Sequence, residues 1–390
     1  MQNQWSLRSK EIESFKVMDL LKRARELEAL GHDVIHLEVG EPDFPTAGPI
    51  VQAAAAALNA GKTQYTPAAG IPELREKIAQ FYAERYKVCI TPEQVLVTPG
   101  ASGALLLAFS LIADVGKTIM MSDPSYPCNR QFLRLLDARG QLVPTGPEQR
   151  FQLTPDLIAQ HWQSSTAGVL LASPSNPTGT LVDKASLHAI ANQVHELGGQ
   201  LIVDELYHGL TYDTDADTVL SVDPSAIVIN SFSKYFGMTG WRLGWLVASE
   251  EAVKEMEKMA QNLFISPPTL SQYAALAAFS EEAISVFEQR RQAFARRRNL
   301  LVEGLKRLGF GVPVVPDGAF YVYADASHLT SNSFDFCWQL LEDDFIAVTP
   351  GADFGHYQAE RYIRFSYTTS FERIEAALER LAVRCASSKS

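Results

Sequence analysis

A chain of 390 residues with 46% hydrophobic side chains is long enough for a sizeable core and two domains, and too apolar for disorder. Its formal net charge of −11 argues against a nucleic-acid surface, which needs clustered positive charge. Cys89, Cys128, Cys337 and Cys385 are scattered without a Cys-x-x-Cys pair and no His-Glu-x-x-His occurs, so neither a disulfide framework nor a zinc site is expected. Met1 to Phe15 lacks the apolar stretch of a secretion signal, and no apolar run approaches the ~20 residues of a membrane span, so a soluble cytoplasmic protein is expected.

Taken in order, Glu11 to Leu30 reads as one helix with Phe15, Met18, Leu21 and Arg25 on a face and Gly31 at its C-cap. Val34 to Val39 reads as a short strand ending in the turn-rich Gly40-Glu41-Pro42-Asp43-Phe44-Pro45, where Gly40 permits close backbone approach. An alanine-rich helix follows over Val51 to Leu58. Tyr65 lies on the glycine-bearing loop to Arg75, which opens a helix running to about Tyr86. Val95-Leu96-Val97 is a strand that turns through Thr98-Pro99-Gly100-Ala101-Ser102-Gly103 into an apolar helix, Ala104 to Ile112. Small residues at such a turn leave backbone N–H groups free for an anion. Short apolar strands then alternate with helical segments: Thr118 to Met121, Leu142 to Pro144, Gly168 to Ala172, Leu201 to Val203, Ile227 to Ile229 and Leu243 to Val247. Continuous apolar runs separated by helices imply a mostly parallel α/β sheet covered on both faces. Gly311 to Val315, Ala319 to Tyr323 and Tyr362 to Tyr367 read as further strands, Phe334 to Asp343 and Ser370 to Arg384 as helices. The basic run Arg290, Arg291, Arg296, Arg297 and Arg298 reads as the wet face of a helix.

In parallel sheets ligands sit beyond the carboxyl ends of the strands. Four of these strands are followed at once by polar groups. Met121 leads to Asp123-Pro124-Ser125-Tyr126, Ala172 to Ser173-Pro174-Ser175-Asn176, and Val203 to Asp204-Glu205-Leu206-Tyr207. Ile229 leads to Ser231-Phe232-Ser233-Lys234, with Arg242 shortly after. Each segment alone also fits a turn, a cap or loop packing; together they make a coherent site. A lysine among aromatic and apolar neighbours loses hydration, which favours its neutral amine, and such an amine condenses with aldehydes. Ser231, Ser233 and Arg242 offer donors suited to a phosphate. Lysine and phosphate donors together suggest pyridoxal phosphate.

The segments from about Leu37 to Tyr367 resemble the class I/II aminotransferases, pyridoxal-phosphate enzymes of fold type I. The resemblance rests on Leu37-Glu38-Val39-Gly40-Glu41-Pro42-Asp43-Phe44, Tyr65-Thr66-Pro67 with Gly70, Asn176-Pro177-Thr178-Gly179 and Asp204-Glu205-Leu206-Tyr207. It continues through Ser233-Lys234, Gly237-Met238, Gly240-Trp241-Arg242, Pro350-Gly351, Phe354-Gly355 and Arg364-Phe365-Ser366. It implies a large domain, residues 46–276, built on a mostly parallel seven-stranded sheet, and a smaller α+β domain from 1–45 and 277–390. It implies that Lys234 carries the internal aldimine and shuttles the proton, and that Asp204 pairs with the pyridine nitrogen. Asn176 and Tyr207 would hold the ring's phenolic oxygen, and Tyr126 would stack on the ring. The phosphate would rest on the backbone of Ala101 and Ser102, on Ser231, Ser233 and Arg242, and on Tyr65 from the second subunit of a homodimer. Arg364 would grip the substrate α-carboxylate, with Gly40 lining the substrate's path.

Some dicarboxylate-preferring relatives carry a lysine in the loop after Gly100, where this chain has Ser102. Phe15, Val17, Phe264, Phe320 and Tyr321 are candidates for an apolar side-chain pocket. The expectation is a neutral or aromatic amino acid as donor, with 2-oxoglutarate or pyruvate as acceptor. A carbon–sulfur β-lyase or a cyclase on the same scaffold is the alternative. A DNA-binding regulatory protein with an aminotransferase-like domain is the remote one, disfavoured because the family segments begin within the first forty residues.

Overall fold

The computed structural model describes residues 5–387. Seven strands form the main sheet: β1 (Val95–Thr98), β2 (Thr118–Asp123), β3 (Arg139–Pro144), β4 (Thr166–Ala172), β5 (Gln200–Asp204), β6 (Ile227–Ser231) and β7 (Gly244–Val247). Their spatial order is β1-β7-β6-β5-β4-β2-β3. The pairs β2–β3, β2–β4, β4–β5 and β5–β6 are parallel, whereas β7 runs antiparallel to both neighbours. The sheet is therefore mostly parallel, as its unbroken apolar runs predict. Every residue of β1, β6 and β7 is buried, consistent with helices on both faces.

Parallel pairing brings the carboxyl ends of β2, β4, β5 and β6 to one edge. Register tightens the arrangement there: Ala172 sits opposite Asp204, and Thr98 opposite Gly244, which sits opposite Ser231. A Cβ on Gly244 would lie 2.7 Å from the carbonyl carbon of Gly100 and 2.8 Å from the Ala101 nitrogen. Only glycine lets the first turn of the helix Gly100–Ile112 rest on the sheet at that row.

A second sheet of three strands, Thr349–Pro350, Tyr362–Ser366 and Tyr321–Asp325, is antiparallel, and Ile35–His36 pairs in parallel with Ile346–Ala347. The 27-residue helix Glu281–Arg307 contacts both the strand Tyr321–Asp325 and the helix Gly48–Asn59. No helix among the described residues is long and apolar enough to cross a membrane. Cys89, Cys128 and Cys337 are free thiols.

Four local expectations are corrected. The N-terminal helix is broken into Leu7–Glu11 and Lys16–Ala29, because the Asp353 carboxylate accepts from the Lys16 and Val17 amides (2.9 and 3.1 Å) and starts the second helix there. Its buried face is Val17, Leu20, Ala24 and Leu27, while Met18 is exposed. In the segment 311–315 only Gly311 makes a bridge, to Asp325; Pro313 and Pro316 have no N–H to continue a ladder. Arg297 and Arg298 are buried rather than wet: Arg297 forks onto Asp43 at 2.8 and 2.9 Å, and Arg298 reaches Asp213 at 2.6 Å.

Candidate active site

The loop after β6 is held before any ligand is considered. Phe232 N–H donates to the Leu243 carbonyl and Met238 N–H to that of Phe232, closing the loop on itself. Phe232, Tyr235 and Phe236 pack on Trp245, Phe279 and Phe287. The rings that face the Lys234 amine come from elsewhere: Tyr207 at 5.9 Å and Phe320 at 5.6 Å. Its ammonium donates to the Gly40 carbonyl at 2.7 Å. Burial pulls its pKa from 10.5 down to about 8; Arg364 and Arg242 add to the fall, and Glu41 and Asp204 oppose it.

Asp204 ends β5 and is buried. Its Oδ1 accepts from the Leu206 amide at 3.0 Å. Burial lifts its pKa from 3.8 to about 7 against the pull of that amide and of Lys234. A buried acid with no cation within salt-bridge distance among the described residues has the chemistry to partner a protonated ring nitrogen.

Arg364, in the strand Tyr362–Ser366, is also buried. It donates to Asn176 Oδ1 at 2.9 Å, to Thr349 Oγ1 at 3.3 Å and to the Glu38 carbonyl. Its guanidinium lies 4.4 and 4.8 Å from the ring centres of Tyr321 and Phe354, and its Nε has no hydrogen-bond partner among the described residues. Tyr321 Oη stands 2.9 Å from Tyr207 Oη. Gly40 fits only as glycine, since a Cβ would fall 2.0 Å from Tyr321 Oη. Lys234, Tyr207, Asn176, Arg364 and Gly40 are thus joined through direct contacts.

A second cluster lies at the end of β6. Ser231 Oγ donates to Ser233 Oγ at 3.0 Å. Gly100, at φ +71°, brings the first turn of its helix beside Arg242: a Cβ there would meet Arg242 Nη2 at 2.9 Å. Ala101 and Ser102 follow on that turn, with Ser102 exposed. Free helix N–H groups, an arginine and two hydroxyls form a cradle with the chemistry of a phosphate site.

Tyr126 is half-buried, 6.0 Å from Phe15 edge to face. Of the apolar-pocket candidates, Phe320 and Tyr321 lie against Lys234 and Arg364, Phe15 meets Tyr126, and Val17 is buried beside Asp353. Phe264 packs on Gly103 instead. Tyr65 is 78% exposed in the single chain. Asp353 and Thr349 escaped the sequence reading, and Glu38 and Phe354 entered it only as motif residues without a role, because each serves Arg364 or the N-terminal helix through long-range contacts.

A buried amine and a buried acid at the strand ends of a mostly parallel sheet, with a buried arginine from the second sheet facing them, have the layout of the fold type I pyridoxal-phosphate enzymes. Residues 32–381 match the family description "Aminotransferase class I and II". The valine–pyruvate aminotransferase of Mycobacterium tuberculosis is 41% identical over 94% of this chain and 95% of its own length. The aspartate/prephenate aminotransferase of Thermus thermophilus is 37% identical over 92% and 93%. The crystal structure of an aminotransferase from Mycobacterium tuberculosis superposes with a TM-score of 0.95, at 39% identity, covering 99% of this chain and all of that one. The chain belongs to the class I/II aminotransferases: it is a pyridoxal-phosphate-dependent aminotransferase acting on an amino acid and a 2-oxo acid.

Proposed function

We propose that this aminotransferase takes its amino group from neutral or aromatic L-amino acids and passes it to a 2-oxo acid in a ping-pong cycle. The observation that carries this reading is the surroundings of Arg364: Phe354, Tyr321, Phe320 and, beside Tyr126, Phe15 present apolar and aromatic surface near the carboxylate anchor. On the helix after Gly100 stands the uncharged Ser102, and Lys16 is engaged with the Ala352 carbonyl at 3.2 Å. The relatives named for valine and for aspartate/prephenate bracket the choice without making it.

The bound pyridoxal phosphate supplies the aldehyde and an electron-withdrawing ring. The chain supplies the rest. Lys234 would hold the group through its amine and would serve as the base at the substrate Cα–H. Asp204 would keep a proton on the ring nitrogen, and Asn176 and Tyr207 would hydrogen-bond the phenolic oxygen. Tyr126 covers the ring. Ala101, Ser102, Ser231, Ser233 and Arg242 hold the phosphate, and Arg364 holds the α-carboxylate in a fork that lysine would not reproduce. Gly40 forms one wall of the substrate's path.

The same reading makes the enzyme a homodimer in which Tyr65 completes the partner's phosphate cradle. The exposure of Tyr65 supports this, as does its loop, which is tied at Gln64 to Thr269 just beyond the exposed Leu263 and Ile265. It also divides the chain at 46–276 against 1–45 with 277–390, of which residues 1–4 and 388–390 lie outside the described residues. The free thiols of Cys89, Cys128 and Cys337 suit a reducing, cytoplasmic setting.

Amino-acid profiling tests the substrate assignment. Alanine, valine, leucine and phenylalanine should each convert the cofactor to its amine form and give the matching 2-oxo acid. A strong preference for aspartate over all of them refutes the apolar pocket, and ammonia release from cysteine, whose Cβ carries a sulfur leaving group, in place of the amine-form cofactor points to a β-lyase.

A further inference from the structure

Tyr321 has a place that its apolar surroundings do not explain. Its side chain is 1% exposed, yet its hydroxyl has one described hydrogen-bond partner, Tyr207 Oη at 2.9 Å. The backbone of Gly40 closes another side of that hydroxyl, so tightly that a Cβ would overlap it. The guanidinium of Arg364 lies on the ring face at 4.4 Å.

Two phenols in contact can share their protons in two ways. If Tyr207 donated to Tyr321, the Tyr321 proton would be buried without an acceptor, which folded proteins avoid. If Tyr321 donates, its proton is satisfied and the Tyr207 proton stays free to donate elsewhere. The cation over the Tyr321 ring withdraws electron density and favours Tyr321 as the donor. Successive hydrogen bonds in one direction also strengthen each other.

We propose that Tyr321 is a positioning residue: its hydroxyl donates to Tyr207 and thereby commits the Tyr207 proton to the phenolic oxygen of the bound cofactor. This rests on the assignment of Tyr207 to that oxygen. A stronger donor there stabilises the ring's phenolate and so lowers the proton affinity of the nitrogen that joins Lys234 to the cofactor. Tyr321 therefore acts on the cofactor through Tyr207.

The test is a pH titration of the visible absorbance of the holoenzyme, which reports that nitrogen's protonation and does not depend on turnover. Tyr207→Phe should raise the apparent pKa. Tyr321→Phe should raise it by roughly half a unit to one unit, a three- to tenfold change in proton affinity. The double variant should titrate like Tyr207→Phe alone, because Tyr321 acts only through Tyr207. If Tyr321→Phe does not fold, Gly40→Ala, which displaces the same hydroxyl and keeps the ring, should shift the titration the same way. The proposal is overturned if Tyr207→Phe moves the pKa but neither removal nor displacement of the Tyr321 hydroxyl does, or if the two Phe variants add. A titration unmoved by Tyr207→Phe overturns the assignment of Tyr207 itself, and this proposal with it.

Discussion

Replacing Asp204 with Asn separates what the acid costs the fold from what it does for the cofactor. Asp204 is buried, and its pKa rises from 3.8 to about 7. The folded chain without cofactor therefore keeps this proton up to about pH 7, whereas the unfolded chain releases it near 3.8. The native state binds more protons in that window, so stability falls as pH climbs through it and levels off above 7. A rise of about three units corresponds to roughly 4 kcal/mol at the plateau, an upper estimate because the site can relax. Asparagine keeps an oxygen for the Leu206 amide and has no charge to desolvate. Cofactor-free Asp204→Asn should thus gain on the wild type by about 2–3 kcal/mol between pH 5 and pH 7.5. Both readings lie below the Lys234 pKa of about 8, so the lysine stays mainly protonated throughout. Thermal melting or urea unfolding of the two apoenzymes at the two pH values measures the gap. With cofactor bound the ranking should invert, since the ring nitrogen stabilises aspartate and gives asparagine little. A gap between the apoenzymes that stays constant or narrows as pH rises would refute the claim that Asp204 is an acid held against its desolvation.

Arg364→Lys should raise the apparent KM for alanine and phenylalanine alike by about a hundredfold, because an ammonium cannot serve Asn176, Thr349 and a substrate carboxylate in one plane; steady-state kinetics with both amino acids read this. Gly244→Ala pushes a methyl against the Gly100–Ala101 backbone at under 3 Å and should weaken cofactor binding by about tenfold or more, seen by dialysis against graded pyridoxal phosphate. Arg297→Ala leaves Asp43 without its forked partner and strips the cation from Phe44 and Phe294, which should cost about 2–4 kcal/mol in denaturant unfolding.

Which parts of the site can be read from the sequence follows from how each residue gets its position. Tyr126, Asn176, Asp204 and Lys234 each stand within a few residues of a strand end, so an apolar run fixes their place, and parallel pairing gathers them without further information. The reversed β7 brings Arg242 and Gly244 back to the same edge, and register alone sets Gly244 beside Ser231. Arg364 was recognisable only by resemblance, for nothing nearby marks it: its partner Asn176 is 188 positions away and the Glu38 carbonyl 326. The errors have the same origin. The Arg290–Arg298 spacing gives a helix correctly, yet Arg297 is buried because Asp43, 254 positions earlier, reaches it. The helix Glu11 to Leu30 breaks because Asp353, more than 300 positions on, caps it at Lys16. The lysine's lowered pKa is expected from aromatic and apolar neighbours, but the adjacent Phe232, Tyr235 and Phe236 serve the core, and Tyr207 and Phe320 supply the enclosure. Local pattern therefore fixes where a reactive group stands, whereas its protonation is set by chain segments that only the tertiary fold brings near. For this reason the discriminating measurements above are titrations and pH-dependent stabilities rather than activity losses alone.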